Sequence, residues 1–142
     1  MKASVNLIVL FFLVSACSQA VDSEYSNLEA ARKEHAIQTG LLPEWLPETS
    51  RQIVVAYDVA TDEKIVSFHY KAADGWNPQE LCKKIDPFEP PKPKVSRPWW
   101  PEDVPATKTS TPQLTFFACE NGRSFLATNL KGGQAYYWNT KI

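Results

Sequence analysis

Three acidic residues and one histidine come nearest to a catalytic set in this sequence. Asp58, Asp62 and Glu63 lie close together, and His69 follows them. Two acids can carry out hydrolysis near neutral pH only when the pKa of one of them is raised, usually by burial. These acids lie between two apolar runs, in a segment with residues typical of a turn. In a turn, acidic side chains accept hydrogen bonds from the backbone or bind a calcium ion. We therefore predict a turn here and keep a small hydrolase that uses these acids with His69 as the alternative.

Composition gives little support to other chemistry. His35 and His69 are the only histidines, and neither has a partner at a spacing typical of metal ligands. The sequence contains no phosphate-binding loop, nucleophile elbow or zinc-protease motif. Its formal net charge of -1 disfavours general nucleic-acid binding. We expect no metal, no cofactor, no nucleic-acid partner and no enzymatic activity.

Residues 1–16 have the pattern of an export signal. Lys2 precedes an apolar run over residues 5–14, which is too short to cross a bilayer as a helix. The run closes on Leu13-Val14-Ser15-Ala16-Cys17, which resembles the lipobox of bacterial lipoproteins. That resemblance implies cleavage before Cys17 and acylation of Cys17. Ordinary secretion, with cleavage after Ala16 or Ala20, is the alternative.

Lipidation at Cys17 has consequences for location. Two or three acyl chains hold a protein on a membrane, whereas one binds only marginally. Residues 17–25 are then the lipidated cysteine and a short tether, and residues 26–142 are a single domain. Ser18 follows the cysteine, where an Asp often marks retention at the inner membrane. The resemblance therefore implies the periplasmic face of the outer membrane.

Cys82 and Cys119 remain once Cys17 is assigned to the lipid. Disulfides persist in oxidising compartments such as the periplasm, so we predict a disulfide between these two residues. Two buried free thiols are the alternative. The disulfide would enclose the proline-rich loop that we predict over residues 87–112.

That loop also contains the best candidates for a binding surface. Long loops without regular structure are often functional. Adjacent tryptophans offer a large contact area, and three basic residues precede them. The tryptophans could instead cover the sheet as part of the core, and the Pro-x-x-Pro spacings could be ligands of a proline-recognition domain. The candidate contact residues are Lys92, Lys94, Arg97, Trp99 and Trp100.

Two helices are predicted from capping signals. Ser26 and Glu29 form a capping box that opens a helix ending near Gly40. Asn77 and Pro78 open a second helix, which we predict to end near Ile85.

Five strands are predicted from apolar patterning. Residues 52–70 read as a hairpin, in which Val66, Phe68 and Tyr70 face one way. Residues 114–120, 124–130 and 134–139 read as three further strands joined by Gly-containing turns. We therefore predict an α+β domain: an antiparallel sheet of about five strands, two helices packed on it, and a long Pro-rich loop.

Several short motifs resemble one family. The chain is similar, over roughly residues 38–140, to small, largely uncharacterised bacterial envelope proteins of the YbbD head domain type. Relatives often carry Asp-x-Asp-Thr-Asn-Glu at the hairpin turn, where this sequence has Ala60 and Asp62 in two of those positions. The resemblance implies one domain with packed aromatic residues and brings no activity with it. It rests on Gly40, Pro43, Leu46-Pro47, Thr49-Ser50, Asp58, Thr61-Asp62-Glu63, Ser67-Phe68, Tyr70, Trp99-Trp100-Pro101 and Ala135-Tyr136-Tyr137-Trp138.

Together these observations favour a lipid-anchored binding or accessory module of the cell envelope. Its partner would be another envelope protein or the cell-wall polymer, and inhibitor or immunity proteins are a subtype of this class. The hydrolase described above and a passive structural lipoprotein are the alternatives.

Overall fold

A computed structural model describes residues 20–106 and 113–141. These residues form one seven-stranded antiparallel sheet with the order β1-β2-β3-β7-β6-β5-β4. One short α-helix, α1, spans Leu28–Lys33, and single 3-10 turns span Ala72–Asp74, Pro78–Glu80 and Glu120–Gly122. The strands are β1 Ala20–Asn27, β2 Arg51–Asp58, β3 Glu63–His69, β4 Lys83–Ile85, β5 Thr115–Cys119, β6 Ser124–Asn129 and β7 Gln134–Asn139.

The prediction of two helices on a five-stranded sheet is wrong. The helix expected from Ser26 to Gly40 has only six residues and begins after Asn27, whose side-chain oxygen accepts a hydrogen bond from the Ala30 amide at 2.8 Å. It stops before His35, which has a left-handed backbone with φ of 61°. The residues in front of this helix, which we expected in the tether, form β1 and pair with β2 along its whole length.

The second predicted helix is also absent. Asn77 does cap a helical turn, accepting from the Gln79 amide at 3.1 Å, but the turn ends at Glu80. The chain then forms β4, which pairs with β5. A capping signal determines only where a helix begins. Pairing with the otherwise open edge of β5 gives hydrogen bonds to more backbone groups than a short, polar helix would.

The predicted hairpin and the three C-terminal strands are confirmed. β2 pairs with β3, and β5, β6 and β7 pair in sequence. Side chains alternate between the two faces as the patterns indicated, with Val66 and Phe68 in one core cluster and Ile65 in the other. The sheet is therefore buried on both sides.

The first face is covered by α1 and the connector over residues 34–50. Leu42 and Leu46 of the connector are 1% and 4% exposed, and the Trp45 ring lies edge-on to Tyr137, 5.5 Å between centroids. Ala36 and Leu42 join α1 residues in the cluster against the sheet. The connector therefore does the packing that we had assigned to a long helix.

The second face is covered by the proline strap, which we define as residues 87–106. Val95 and Val104 of the strap are buried against Phe116, Phe125 and Trp138 of the sheet. The predicted Pro-rich loop extends to residue 112, and residues 107–112 lie outside the described residues. The described part of the loop is one wall of the core.

A disulfide joins Cys82 to Cys119, as predicted. The two residues lie side by side at one end of β4 and β5, with 4.4 Å between their Cα atoms. They are 7% and 1% exposed. The bond closes a loop that holds the whole strap, and the two cysteines have a sequence separation of 37.

Candidate functional site

The acids of the β2–β3 turn bond mainly to their own turn. Asp58 Oδ1 accepts from the Ala60 amide at 2.8 Å and the Thr61 amide at 3.3 Å. Asp62 has a left-handed backbone, φ 61°, and its Oδ1 accepts from the Tyr57 hydroxyl at 2.9 Å. These bonds stabilise the hairpin, as expected of acidic side chains in a turn.

His69 lies far from these acids. It ends β3, and Glu63 begins it, so about 20 Å of extended strand separates them. Burial and the positive charge of Arg51 lower the pKa of His69. The structure therefore does not bring together the acid–histidine set of the hydrolase alternative.

Glu63 is buried under the proline strap. Its side chain is 2% exposed, and its Oε1 accepts from the Lys141 amide at 3.0 Å and lies 3.6 Å from Lys94 Nζ. Its Oε2 has no hydrogen-bond partner among the described residues. The carboxylate ties the strap and the C-terminal end of β7 to the start of β3.

The residues predicted to bind a partner are distributed along the strap and held largely by internal contacts. The Trp100 ring lies edge-on to Trp138, 5.8 Å between centroids, and its Nε1 donates to the Val104 carbonyl at 2.8 Å. Trp99 packs edge-on against Trp100, with 6.1 Å between centroids, and both tryptophans are half-buried.

The basic residues of the strap make similar ties. Arg97 Nε donates to Asp22 Oδ1 at 2.8 Å and its Nη2 to Asp22 Oδ2 at 3.1 Å, so the guanidinium clamps the strap to β1. This clamp lowers the pKa of Asp22. Lys94 faces Glu63, and Lys92 is exposed. Of the predicted set, Lys92 and Lys94 are exposed, whereas Arg97, Trp99 and Trp100 are half-buried.

A polar cleft of about 400 Å³ lies at one end of the sheet instead. The β2–β3 turn, the β5–β6 turn and the end of β7 surround it, because β3, β7 and β6 are neighbours in the sheet. A second hollow of about 350 Å³ adjoins it at Asp62 and contains Gly40, Tyr57 and Lys64. The cleft residues are Thr61, Asp62, Glu120, Arg123, Asn139, Thr140 and Lys141.

Glu120 accepts two side-chain hydrogen bonds at the cleft. Its Oε2 accepts from the Ser124 hydroxyl at 2.7 Å and the Tyr137 hydroxyl at 3.3 Å. Burial, together with the negative charge of Glu120, raises the pKa of Tyr137 well above its ordinary value. Glu120 and Asn121 both have left-handed φ angles, 50° and 60°. Such non-glycine conformations cost energy and are often found at functional sites.

Lys64 stands beside the cleft in a half-apolar setting. It is 9% exposed, its Nζ donates to the Gly40 carbonyl, and burial lowers its pKa. Lys64 shares its strand face with Val66 and Phe68. A lysine on an otherwise apolar strand face is the feature of the sequence that could have indicated a polar site near this position. The rest of the cleft depends on which turns the topology brings together.

The cleft presents charged groups of both signs. It offers Arg123 and Lys141 as donors and Asp62 and Glu120 as acceptors. The Ser124 hydroxyl is 0% exposed and donates to Glu120, so no substrate reaches it. Among the described residues, no three His, Cys, Asp or Glu side chains are grouped as metal ligands, and no helix has the length and apolar character to cross a bilayer.

The family model for the YbbD head domain matches residues 19–69 of this chain. The match includes β1, α1, the connector, β2 and β3, and so supports the resemblance over the N-terminal part of the domain. It is narrower than the range of residues 38–140 inferred from motifs and does not reach the strap or β7. No curated protein and no solved structure matches the chain.

Proposed function

We propose that this chain is a lipid-anchored protein of the bacterial cell envelope, and that it acts by binding a partner rather than by catalysis. The proposed lipidation rests on the lipobox-like Leu13-Val14-Ser15-Ala16-Cys17, which lies outside the described residues. Among the described residues, the sheet begins at Ala20, which pairs with Asp58. The proposed cleavage before Cys17 would therefore leave every described strand intact.

The geometry of the polar groups supports binding over hydrolysis. The acids of the hairpin turn and His69 lie at opposite ends of β3. Asp62, Glu120 and Lys64 have internal partners that hold them in one geometry, as a preformed binding site requires. The observation that carries the proposal is the cleft, where exposed groups of both charges surround a fixed set of hydrogen bonds.

An envelope protein is the favoured partner class. Trp138 is fully buried and the half-buried Trp100 ring lies edge-on to it, so the two do not form a flat aromatic platform for a sugar polymer. Arg123, Asp62 and Lys141 instead suit the charged and amide groups of a polypeptide. An inhibitor or immunity role is one form of this binding.

Lipidation is tested first, with the full-length chain and its Cys17→Ala variant. We expect wild type to incorporate an alkyne-labelled palmitate and to fractionate with membranes, and the variant to do neither. An unlabelled, soluble wild-type protein would refute the anchor.

Binding at the cleft is tested by crosslinked capture from the protein's own envelope. The test variant is the Arg123→Ala, Lys141→Ala double substitution, in which both altered side chains are exposed. The matched control is Lys131→Ala, an exposed lysine at the opposite end of the sheet. We expect one partner to be captured with wild type and control and lost with the cleft variant. Equal capture by all three would place the contact elsewhere, and a Trp99→Ala variant would then test the strap.

A further inference from the structure

One end of the sheet carries both the start of β1 and the polar cleft. Ala20 pairs with Asp58, and Asp58 pairs with Glu63 across the hairpin. The end of β7 lies next to the start of β3 on the far side. We call this the Ala20 end, and the β6–β7 turn lies at the opposite end, beside the pair His69 and Gln134.

The covalent distance from the lipid to this end is short. Cys17 is three residues before Ala20, and a fully extended chain spans at most about 11 Å over that distance. β1 then runs about 26 Å away through its eight residues. If Cys17 carries the lipid, as proposed above, the Ala20 end is held near the bilayer surface and the opposite end can stand well away from it.

The surface at the Ala20 end suits the boundary between lipid and water. Val59, in the β2–β3 turn, is 60% exposed, and Val21 of β1 is 55% exposed. Lys94, whose side chain is 73% exposed, lies at the same end. Exposed cations beside apolar side chains suit a surface of lipid headgroups, but Leu130 and Lys131 expose the same pair at the opposite end, so the short tether carries the orientation.

We infer that the domain stands on the membrane with its Ala20 end against the headgroups, so that the cleft opens at the lipid–water boundary. This inference rests on the proposed lipidation. This orientation restricts the class of partner, because a ligand of the cleft must approach along the plane of the membrane. An envelope protein in the same membrane satisfies this requirement, whereas a distant polymer does not.

Two exposed apolar residues at opposite ends give a matched pair for the test. Val59→Cys places a thiol at the Ala20 end, and Leu130→Cys, at a position 44% exposed, places one in the β6–β7 turn. The disulfide uses Cys82 and Cys119, and lipidation converts the Cys17 sulfur to a thioether, so the introduced thiol is then the reactive one. Each purified variant is reconstituted into phospholipid vesicles and recovered by flotation.

The measurement is the labelling rate with a maleimide on a long polyethylene glycol chain, divided by the rate with N-ethylmaleimide. The small reagent corrects for the intrinsic reactivity of each thiol, and the ratio reports obstruction by the bilayer. We expect the ratio to be several-fold lower for Val59→Cys than for Leu130→Cys. Equal ratios for the two variants would overturn the orientation.

A linker variant tests the cause of the orientation. A Gly-Ser insertion of about 25 residues between Gln19 and Ala20 reaches about 28 Å and frees the domain from the surface. With the insertion, we expect the ratio for Val59→Cys to rise to that for Leu130→Cys. Protection that persists would show that the tether does not set the orientation.

Failure of the anchor looks different from failure of the orientation. A chain that is not lipidated does not float with vesicles. A chain that floats and gives equal ratios is anchored but not oriented as inferred.

Discussion

Removing the disulfide is the perturbation whose size the structure defines best. Cys82 and Cys119 enclose the proline strap, so reduction frees a loop of nearly forty residues in the unfolded chain. On the chain-entropy model, a loop of this length contributes about 4 kcal/mol to the free energy of unfolding. That is a large share of the roughly 5–15 kcal/mol typical of a domain.

The assay is urea and thermal unfolding of the oxidised protein, the reduced protein and the Cys82→Ala, Cys119→Ala variant. For a domain of this size, the loss corresponds to about 2–4 M in the urea midpoint. It corresponds to about 15 °C in the melting temperature. The reduced wild type isolates the cross-link, because it keeps both buried sulfur atoms, whereas the double variant adds two small cavities.

The folded structure of the strap should survive loss of the disulfide. The strap is held by Arg97 on Asp22, by Trp138 Nε1 on the Pro91 carbonyl at 3.0 Å, and by the packing of Trp100. The near-ultraviolet circular dichroism of the folded protein should therefore survive reduction. An unchanged midpoint after complete reduction would refute the entropic argument, and a lost aromatic signal would show that the disulfide holds the folded strap in place.

Three further predictions concern single residues. Gly133→Ala should cost at least about 2 kcal/mol in the free energy of unfolding, because the φ of Gly133 is 69° and a Cβ would stand 2.1 Å from the Tyr70 carbonyl oxygen. Gly132→Ala, whose Cβ would meet only a side chain, is the control, and equal losses of stability in the two variants would contradict the clash. Trp100→Ala should lower the free energy of unfolding by about 2–3 kcal/mol, and Trp99→Ala by less, since Trp100 packs on Trp138 and donates to the Val104 carbonyl. Equal urea midpoints for both variants and wild type would contradict a core role for Trp100. The pKa of Tyr137 is raised in the folded state, so the stability that its protonated form contributes is complete below the unfolded pKa of about 10 and is lost as the pH rises above that value. The Tyr137→Phe variant should therefore lose less free energy of unfolding at alkaline pH, by about 1.4 kcal/mol per pH unit. Identical slopes for wild type and variant would show that the pKa of Tyr137 is not raised in the fold.

The central strands could be predicted from the sequence because burial on both faces requires a recognisable pattern. The β-branched run in β2 and the alternation in β3 and β7 place apolar side chains on each face. The edge strands carry no such pattern. β1 contains Asp22 and Glu24, and two of the three residues of β4 are lysines, because charged side chains on edge strands hinder pairing with other chains.

The helix predictions failed for a different physical reason. Asn77 does cap a helical turn, and Asn27 caps α1 one residue beyond the predicted Ser26. A cap stabilises only the first turn, and continuation requires an apolar face that finds a partner. Here the sheet is already covered by the connector and the strap, so a long helix on either face would have nothing to bury.

The cleft was beyond prediction from local patterns. Asp62 and Glu120 are far apart along the chain, and their proximity follows from β7 lying between β3 and β6. The positive φ at Asp62, Glu120 and Asn121 is likewise a property of turns in their folded setting. Lys64 was visible as an exception to the alternation, but its partner, the Gly40 carbonyl, comes from the connector.

The place of β7 in the sheet has a consequence for how the chain folds. Of the seven described strands, β7 comes last along the chain and lies in the middle of the sheet, with Ile65 of β3 paired to Trp138. A chain that stops before Gln134 would hold two half-sheets, each with an unpaired inner edge. Contacts so distant along the chain slow folding, and the sheet cannot close until β7 has been made. A product truncated before β7 is therefore left with two sheet edges free to aggregate.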